Sequence, residues 1–286
     1  MSKIDPNPQA DMSLLKRSKF TLIRLVRRLG LLRLADTLRY QIHKGKVADE
    51  NKKFLSEHPD FVPPPAELAY DAYNHASWPV YWESGYRHAQ FFAEAILKYS
   101  KVGKIDVLEW GCGPCRLIRH MPGLLGERAG DVSGTDYNPD TIDWCKTSVS
   151  GIRFELNGLM PPLPFPDNAF DAVYNFSVLT HLSSNVQIAW TQELYRVLKP
   201  GGVMVGTTHG ENYEYMLAST QEKDAYARGD CVEQEQYAEG AKWYFAVHPE
   251  KFVREKLLHQ FESVERVPVS EGVGMLQDVW VARKGG

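Results

Sequence analysis

The stretch Val107-Leu108-Glu109-Trp110-Gly111-Cys112-Gly113-Pro114-Cys115-Arg116 decides how this chain folds. An apolar, strand-like run ends in two glycines one residue apart, and a helical pattern follows. Gly111 and Gly113 can adopt positive φ at a tight turn, and without side chains they let a ligand approach the backbone. The next helix would point its unpaired N–H groups at the same place. The stretch therefore predicts a ligand site at the end of a first strand, although dinucleotide-binding domains share this element.

Strand-like runs alternate with helical patterns along the rest of the chain. The strand-like runs span 104–110, 131–136, 152–156, 169–176 and 203–208, and the helical runs between them span 117–125, 141–147 and 185–198. Such alternation is typical of an α/β fold with a mainly parallel sheet. A helical run at 251–261 and strand-like runs at 263–267 and 277–283 suit a closing antiparallel pair. The sequence therefore predicts a Rossmann-like, doubly wound, mainly parallel sheet of seven strands with an antiparallel C-terminal strand, plus an N-terminal helical extension.

Composition divides the 286 residues into three parts. Residues 1–62 are a predicted basic helical extension, and residues 63–103 are a predicted aromatic-rich segment that leads into the sheet. Residues 104–286 are the predicted α/β domain, in which a polar insertion near 211–242 could cover the substrate side. The length suits one such domain with extensions.

The net charge of −3 hides an asymmetry. Residues 1–48 hold eleven lysines and arginines against three acidic residues, and the remaining chain holds 22 basic against 33 acidic residues. Nucleic-acid backbones are bound by clustered basic side chains. The acidic body therefore argues against a nucleic-acid partner, and the basic N-terminal segment needs its own explanation.

The basic segment over 13–44 has an amphipathic helical pattern. Its apolar positions are Leu22, Leu25, Val26, Leu29, Leu31, Leu34, Leu38 and Ile42, with Arg24, Arg27 and Arg28 on other faces. One interpretation is a helix that packs on its own domain or on a second subunit in a homodimer. The other is a helix that rests peripherally on an anionic membrane surface. We expect a cytoplasmic protein, at the inner membrane face under the second interpretation, because neither a transmembrane span nor a secretory signal is visible.

Aromatic residues are dense just before the predicted sheet. Trp78, Tyr81, Trp82 and Tyr86 are candidate substrate contacts, since aromatic rings can stack on a bound ligand. Such a density could form a lid over a ligand, or it could be ordinary packing between a helix and the sheet.

The four cysteines predict neither a disulfide framework nor a zinc site. Cys112 and Cys115 have CxxC spacing, but no second pair exists to complete a tetrahedral site. Their place inside the glycine loop favours packing against a cofactor over redox chemistry. We therefore expect no metal.

Two carboxylates distinguish this loop from a glycine loop that binds pyrophosphate. Glu109 ends the first strand and suits a cationic amino group, and Asp136 ends the second strand, where it can accept hydrogen bonds from a ribose diol. Four motifs accompany them, namely GCGP (111–114), GTDYN (134–138), LPFPDNAFDAVYNFSVLTHL (163–182) and ELYRVLKPGG (193–202). Together these motifs resemble class I S-adenosylmethionine-dependent methyltransferases over residues 104–209.

This resemblance implies S-adenosylmethionine as the cofactor and a role for each matching residue. The methionine part of the cofactor would be held by Glu109, Gly111 and Gly113, and its side would be lined by Asn175 or Phe176. Asp136 would bind the ribose hydroxyls. Tyr137 would pack beside the adenine, and its edge would meet Asn157 and the backbone of Gly158. Two positions depart from the family pattern. Cys115 replaces the usual third small residue of the loop, and Asn157 stands where an acidic residue is common.

A further set of segments is similar to methyltransferases of sugar and polysaccharide biosynthesis. These are PPxxLxY at 64–70, SVLTHL at 177–182, TxHG at 207–210 and QDVWV at 277–281. They imply methyl transfer to a hydroxyl of a sugar, glycan or glycolipid precursor. Methylation of a soluble secondary metabolite on oxygen or nitrogen is the alternative, and a non-catalytic binding protein is a third interpretation.

An alcohol acceptor gains from a general base, and histidine titrates in the useful range. His181 and His209 are the candidates, because both follow strands on the side where doubly wound sheets bind ligands. His181 could instead fix the loop after strand four through a hydrogen bond.

Overall fold

A computed structural model describes residues 32–233 and 237–286 of the chain. The helices are α1 (Leu32–Lys46), α2 (Ala48–Glu57), α3 (Ala66–Tyr73), α4 (Trp78–Tyr99), α5 (Met121–Leu125), α6 (Pro139–Ser148), α7 (Ser184–Val197), α8 (Thr220–Arg228) and α9 (Glu250–Phe252), which continues as a π-helical turn, Val253–Leu257. The strands are β1 (Ile105–Trp110), β2 (Ala129–Asp136), β3 (Arg153–Leu156), β4 (Phe170–Asn175), β5 (Leu198–Thr208), β6 (Val232–Glu233), β7 (Ala246–Val247), β8 (Ser263–Val267) and β9 (Asp278–Arg283).

Seven of these strands form one sheet, in the order β3-β2-β1-β4-β5-β9-β8. Strands β1 to β5 pair in parallel, and β9 pairs antiparallel with both β5 and β8. The predicted fold is therefore confirmed, including the antiparallel C-terminal strand. The chain reverses its direction of winding between β1 and β4, and the crevice at such a switch point is where doubly wound sheets bind ligands.

Two predicted helices are shorter in the structure than the sequence pattern indicates. The helix predicted over 117–125 is a 3₁₀ turn, Ile118–His120, followed by the single turn of α5. Pro122 has no N–H to donate, so a continuous α-helix could not keep its hydrogen bonds through this position. The helix predicted over 251–261 ends with the π-helical turn at Leu257.

Alternate residues of the central strands face two different helical layers, as the period of two requires. Val107, Tyr174 and Val205 belong to the cluster that packs against α4 and α6. Leu108 and Val173 belong to the opposite cluster, which packs against α7 and α9. Apolar burial on both faces of the sheet leaves the carboxyl ends of β1, β2 and β4 as the place for a site.

Helices α1, α2 and α3 form a further layer beside α4. Its core contains Phe54, Phe61, Ala69, Ala76, Trp78 and Tyr81. Helix α1 packs on this layer through Tyr40, whose hydroxyl donates a 2.6 Å hydrogen bond to Glu67, and through His43, whose Nε2 accepts from the Ala76 N–H at 2.9 Å. Residues 13–31 of the predicted basic helix lie outside the described part of the chain. In the described ranges, no helix is long and apolar enough to cross a membrane.

The predicted insertion contains structure of its own. It includes a 3₁₀ turn, Glu211–Met216, then α8, then β6, which pairs antiparallel with β7. Leu217 and Val232 of the insertion form a small apolar cluster with Phe245 and Val247, which follow it. The segment after β5 therefore carries a small packed unit of its own.

Candidate active site

A cavity of about 460 Å³ lies at the carboxyl ends of β1, β2 and β4. The glycine loop, the turn after β4, the insertion and α3 all contribute to its wall. Of the residues singled out in the sequence, those that line it are Glu109, Gly111, Gly113, Asp136, Tyr137, Asn157, Phe176, His181 and His209. The structure thus brings most of the predicted site together at the expected edge of the sheet.

The glycine loop adopts the left-handed backbone that the sequence predicts. Gly111 has φ +75° and Gly113 has φ +49°. A Cβ on Gly111 would lie 2.3 Å from a methyl carbon of Val178, and one on Gly113 would lie 2.8 Å from the Tyr73 hydroxyl oxygen. Cys115, which departs from the family pattern, also has φ +60°. The loop is therefore a concave backbone cradle that side chains at 111 and 113 would fill.

Glu109 is a buried carboxyl at the floor of the cavity. The hydroxyl of Tyr174 donates a 2.7 Å hydrogen bond to its Oε2. Burial raises the pKa of Glu109 to about 8, against the opposing effects of the Tyr174 hydrogen bond and the nearby Arg116 cation. A buried carboxyl of this kind gains strongly from a cationic ligand, because the cation stabilises the ionised form that burial disfavours.

Arg116 is a buried cation beside Glu109 that the sequence reasoning missed. Its guanidinium carbon lies 4.4 Å from the ring centroid of Tyr73 and 5.4 Å from that of Phe176, and Nη1 donates to Ser84 Oγ at 3.3 Å. Within the described part of the chain, its buried Nε has no hydrogen-bond partner. A guanidinium with an unused N–H at the cavity suits a carboxylate. The only sequence signal for it is a basic residue directly behind the glycine loop.

Asp136 closes β2 on the other side of the loop. Its Oδ2 accepts from the Gly113 N–H at 3.0 Å, and its Oδ1 accepts from the Asn138 N–H at 2.9 Å. Burial raises the pKa of Asp136 to about 6, although these backbone hydrogen bonds favour the ionised form. The loop and the carboxylate therefore position each other, and the remaining lone pairs of the carboxylate are available for hydroxyl donors at the cavity.

The predicted adenine residues lie at the outer end of the cavity. Tyr137 is half-exposed, and its hydroxyl donates to the Gly240 carbonyl at 2.9 Å. Asn157 is buried, and its Oδ1 has no partner in the described ranges. Gly158 does not line the cavity; its carbonyl accepts from Asn157 Nδ2 at 2.6 Å. Leu159, which the sequence reasoning did not single out, lines the cavity beside Asn157.

The two alternatives at the end of β4 differ in position. Phe176 lines the cavity, with its ring centroid 4.9 Å from that of His88. Asn175 is fully buried in the sheet, where a Cβ on Gly206 would lie 2.9 Å from its Nδ2. Phe176 is therefore the member of this pair that a ligand in the cavity would touch.

His181 ends the 3₁₀ turn Leu179–His181 after β4 and lines the cavity. Its Nδ1 lies 3.0 Å from the Tyr244 carbonyl oxygen, so Nδ1 carries the hydrogen and Nε2 is the basic nitrogen. Burial lowers the pKa of His181 below its usual value. The imidazole is therefore neutral near pH 7 and able to accept a proton at Nε2.

His209 is more completely engaged than His181. Its Nδ1 donates to the Ala246 carbonyl at 3.1 Å, and Gln277 Nε2 donates to its Nε2 at 3.2 Å. The ring is stacked on those of Tyr213 and Phe245, with centroids 3.9 Å and 4.7 Å away. Burial lowers the pKa of His209 well below its usual value. These contacts fit an imidazole that holds the wall of the cavity together.

The aromatic residues predicted as substrate contacts lie elsewhere. Trp78, Tyr81 and Trp82 pack against Phe61 under the glycine loop, and the Tyr81 hydroxyl donates to the Pro114 carbonyl at 2.5 Å. Tyr86 is half-exposed, with its ring 5.5 Å from that of His120. None of the four lines the cavity, because they project from α4 toward α2 and the turn before α5. The aromatic residues that do line it are Tyr73, Trp110, Tyr137, Phe176, Trp190 and Tyr213.

The insertion passes over the cavity and is tied down at several points. The Gly240 N–H donates to the His181 carbonyl at 2.9 Å. The Lys242 ammonium is 2.5 Å from an Asp36 carboxylate oxygen and 3.7 Å from one of Asp71. These contacts join the insertion to α1, α3 and the turn after β4, so residues from four parts of the chain enclose one cavity.

The cysteines of the loop pack in the protein core, and their predicted packing against a cofactor stays a prediction. Cys112, Cys115 and Cys145 are all buried in the core cluster beneath the loop, and Cys112 also lines the cavity. Among the residues that the structure describes, no group of three His, Cys, Asp or Glu side chains is placed to hold a metal ion.

Comparison with known proteins finds relatives for the central part of the chain. Residues 107–202 match the family described as Methyltransferase domain. A probable S-adenosylmethionine-dependent methyltransferase of Mycolicibacterium smegmatis is 35% identical over 103 residues, which cover 36% of this chain and 37% of that protein. A fatty-acid O-methyltransferase of the same species is 34% identical over 110 residues, 38% of each chain. This chain thus matches about two fifths of the length of these curated relatives.

The fold has counterparts among solved structures as well. A chain in the complex between the Haloferax volcanii Trm112 methyltransferase activator and the putative methyltransferase aligns with a TM-score of 0.50 and 14% identity, covering 78% of this chain and all of that one. An identity this low shows the fold alone. Residues 107–202 therefore match a methyltransferase domain, and a relative that matches this part of the chain is a probable S-adenosylmethionine-dependent methyltransferase.

Proposed function

We propose that this chain transfers a methyl group from S-adenosylmethionine to a hydroxyl of a sugar, glycan or glycolipid precursor. The observation that carries the proposal is the position of His181, a neutral imidazole on the same cavity wall as the cofactor-type residues Glu109 and Asp136. A base beside a methyl donor suits an acceptor that must lose a proton, as an alcohol does.

The residues present fit the cofactor. The loop has no space for side chains at Gly111 and Gly113, so its backbone is left open to a ligand. Two buried polar atoms at the cavity, Arg116 Nε and Asn157 Oδ1, lack partners in the described ranges. In our assignment Glu109 binds the amino group and Arg116 the carboxylate of the methionine part, and Asp136 binds the ribose hydroxyls. Tyr137, Asn157 and Leu159 surround the adenine.

The bound cofactor supplies an activated methyl group, so the chemistry left to the protein is alignment and proton transfer. The opposite charges of Glu109 and Arg116 fix one end of the donor, and the Asp136 carboxylate fixes the ribose. His181 Nε2 accepts the hydroxyl proton while Nδ1 stays anchored on the Tyr244 carbonyl. The insertion contributes Tyr213, Gly240 and Lys242 to the cavity wall, and the Gly240–His181 hydrogen bond holds it beside the proposed base.

Polar side chains in the cavity wall support a hydroxyl-rich acceptor. They include Asp71, Asn74, Lys242 and Gln277. Carboxylate, amide and ammonium groups together can pair with the donors and acceptors of a sugar ring. The segments at 64–70, 207–210 and 277–281, which resemble sugar methyltransferases, contribute Leu68, His209 and Gln277 to the same wall.

The test is methyl transfer from isotopically labelled S-adenosylmethionine to a panel of acceptors. The panel contains free and lipid-linked sugars, a fatty acid, and phenolic and amine metabolites. The fatty acid is included because one relative is a fatty-acid O-methyltransferase. Label in the sugar fraction alone is the expected result. Label in the fatty-acid or the metabolite fraction alone would replace the proposed acceptor class while keeping the methyl transfer. Absence of binding to both S-adenosylmethionine and S-adenosylhomocysteine in calorimetry would overturn the cofactor assignment itself.

A further inference from the structure

An exposed apolar stripe runs along the outer side of α1. Leu34, Leu38 and Ile42 are 69%, 61% and 51% exposed. Residues four apart lie on the same side of a helix, so these three side chains form one continuous row. Single exposed leucines are ordinary, but a row of three on one helix face indicates a surface that is covered by something.

The stripe is not part of the packing of α1 on its own domain. The opposite face of the helix does that, through the buried Tyr40 and Val47 and through His43. Asp36 lies on this inner face too, and it accepts from the Tyr70 hydroxyl at 3.3 Å and pairs with Lys242. Helix α1 is therefore apolar and exposed on one side and fixed to the protein on the other.

Basic residues border the stripe on one side. Arg39 and Lys46 are both exposed, and the helical period places them on the same side of α1, between the inner face and the apolar row. The sequence adds more positive charge before the helix, since residues 1–31 contain seven lysines and arginines against two aspartates. The apolar row is thus set in the most basic part of an otherwise acidic chain.

We propose that this face of α1 docks on an anionic lipid surface. Apolar side chains that enter the headgroup boundary, flanked by lysine and arginine that meet anionic headgroups, are the features of an interfacial helix. A second copy of the chain fits less well. In an antiparallel two-fold interface the same patch meets itself, so the edge that carries Arg39 would lie against the same basic edge of the partner. Three side chains also fall far short of the roughly 800 Å² that each partner buries in a standard interface.

The docking face lies close to the cavity. Helix α1 backs directly on α3 through the Tyr40–Glu67 and Asp36–Tyr70 hydrogen bonds. Helix α3 supplies Leu68, Asp71 and Tyr73 to the cavity wall. Docking through α1 would therefore hold the wall of the cavity within about one helix diameter, roughly 10 Å, of the headgroups. The docking itself does not depend on which acceptor is methylated.

Vesicle sedimentation tests the proposal with the full chain. The vesicles are a phosphatidylcholine and phosphatidylglycerol mixture, with pure phosphatidylcholine as the neutral comparison. We expect the wild-type chain to sediment with the anionic vesicles at low salt, and much less with the neutral ones or at high salt. In the double variant Leu34→Glu/Leu38→Glu, removal of two apolar contacts should lower the partition coefficient at least about tenfold.

A matched control separates the stripe from a general effect of added charge. Val102→Glu places a carboxylate at another exposed apolar side chain, before β1 and at the end of the sheet away from the cavity, and should sediment like the wild type. Circular dichroism and S-adenosylhomocysteine binding check the fold. The charge variant Arg39→Glu/Lys46→Glu, which leaves the apolar row intact, provides a second test should the first variant fail to fold. It should lose the preference for anionic vesicles.

Three outcomes would overturn the proposal. The first is equal sedimentation of the wild type and both double variants. The second is equal binding to neutral and anionic vesicles. The third is a wild type that stays in the supernatant while light scattering shows a dimer that Leu34→Glu/Leu38→Glu converts to a monomer, in which case the stripe is a subunit interface.

Discussion

The Tyr174 hydroxyl donates a 2.7 Å hydrogen bond to Glu109 Oε2, and both side chains are buried at the floor of the cavity. The two residues come from neighbouring strands, since Glu109 in β1 pairs in register with Tyr174 in β4. The hydrogen bond stabilises the ionised carboxylate, whereas burial opposes it and raises the pKa of Glu109 to about 8. The free protein therefore holds this group protonated at neutral pH, and a cationic ligand must displace the proton.

The first prediction concerns the pH dependence of cofactor binding. The ionised fraction of Glu109 rises about eightfold from pH 6.5 to 7.5, because both values lie below its pKa of about 8. The ligand amino group binds the ionised form, so the affinity for S-adenosylhomocysteine should rise by up to about eightfold over this range. Calorimetry at the two pH values measures it. Glu109→Gln should bind weakly and with the same affinity at both, and a wild type with pH-independent affinity would rule out the assigned contact.

Tyr174→Phe tests the hydrogen bond itself. Removing the O–H leaves the carboxylate without its neutral donor, so the pKa of Glu109 should rise further and cofactor affinity at pH 7 should fall by about tenfold or more. Tyr195→Phe is the control, because Tyr195 packs against Phe261 far from the cavity. Unchanged affinity in Tyr174→Phe would mean that the hydrogen bond does not support the ionised carboxylate.

Gly113→Ala should damage the loop, since Gly113 has φ +49° and a Cβ there would lie 2.8 Å from the Tyr73 hydroxyl. We expect a loss of about 1–2 kcal/mol in the free energy of unfolding and a clear loss of cofactor affinity. Gly123→Ala is the matched control, because Gly123 is helical and a Cβ there meets nothing within 4 Å. That variant should be as stable as the wild type or more so. Equal thermal stability and affinity of the two variants would contradict the strain argument.

The glycine loop could be predicted from the sequence because its backbone requirement is local. Gly111 and Gly113 must adopt positive φ wherever the strand before them ends, and this constraint is visible in the residue types. The same holds for Glu109 and Asp136, since each ends a parallel strand and all such ends meet at one edge of the sheet. The period of the apolar residues and the glycines that end the strands therefore predicted a mainly parallel sheet and the edge at which the two carboxylates lie.

The remaining site residues depend on contacts between distant elements, which a local pattern does not encode. The place of Arg116 in the site depends on Tyr73 of α3, whose ring centroid lies 4.4 Å from the guanidinium carbon. Lys242 reaches the site because it pairs with Asp36 of α1. The aromatic residues Trp78, Tyr81 and Trp82 have helical spacing, but spacing alone does not say whether that face meets a ligand or another helix.

His181→Gln tests the proposed base. The amide keeps a polar side chain of similar size but cannot accept the proton, so turnover on a hydroxyl acceptor should fall about a hundredfold or more while cofactor affinity stays nearly unchanged. His259→Gln is the control, because His259 is exposed outside the cavity. Turnover of His181→Gln at the wild-type rate would remove His181 from the mechanism and leave alignment as the main contribution of the protein.

His209→Gln should instead lower thermal stability, since the imidazole joins Ala246 to Gln277.

Arg116→Lys is the sharpest test of the cofactor assignment, because the two ends of the ligand can be separated chemically. S-adenosylhomocysteine carries the amino acid carboxylate that we assign to Arg116, whereas 5′-methylthioadenosine has the same adenosine part and no carboxylate. Lysine keeps the charge but loses the planar fork and its stacking on the Tyr73 ring. The affinity for S-adenosylhomocysteine should therefore fall by about ten- to a hundredfold, and that for 5′-methylthioadenosine should change little.

Arg119→Lys is the matched control for this experiment. Arg119 lies one turn further on, where its guanidinium stacks on Phe61 and Tyr81 and Nε donates to the Cys115 carbonyl at 3.0 Å. It touches the loop from below and does not line the cavity, so its substitution should affect both ligands to the same small extent. A parallel loss of affinity for both ligands in Arg116→Lys would mean that this guanidinium only supports the loop through Tyr73. A selective loss for S-adenosylhomocysteine would support direct recognition of its carboxylate by Arg116. The two ligands also differ in the amino group, but that group is assigned to Glu109, which Arg116→Lys leaves in place.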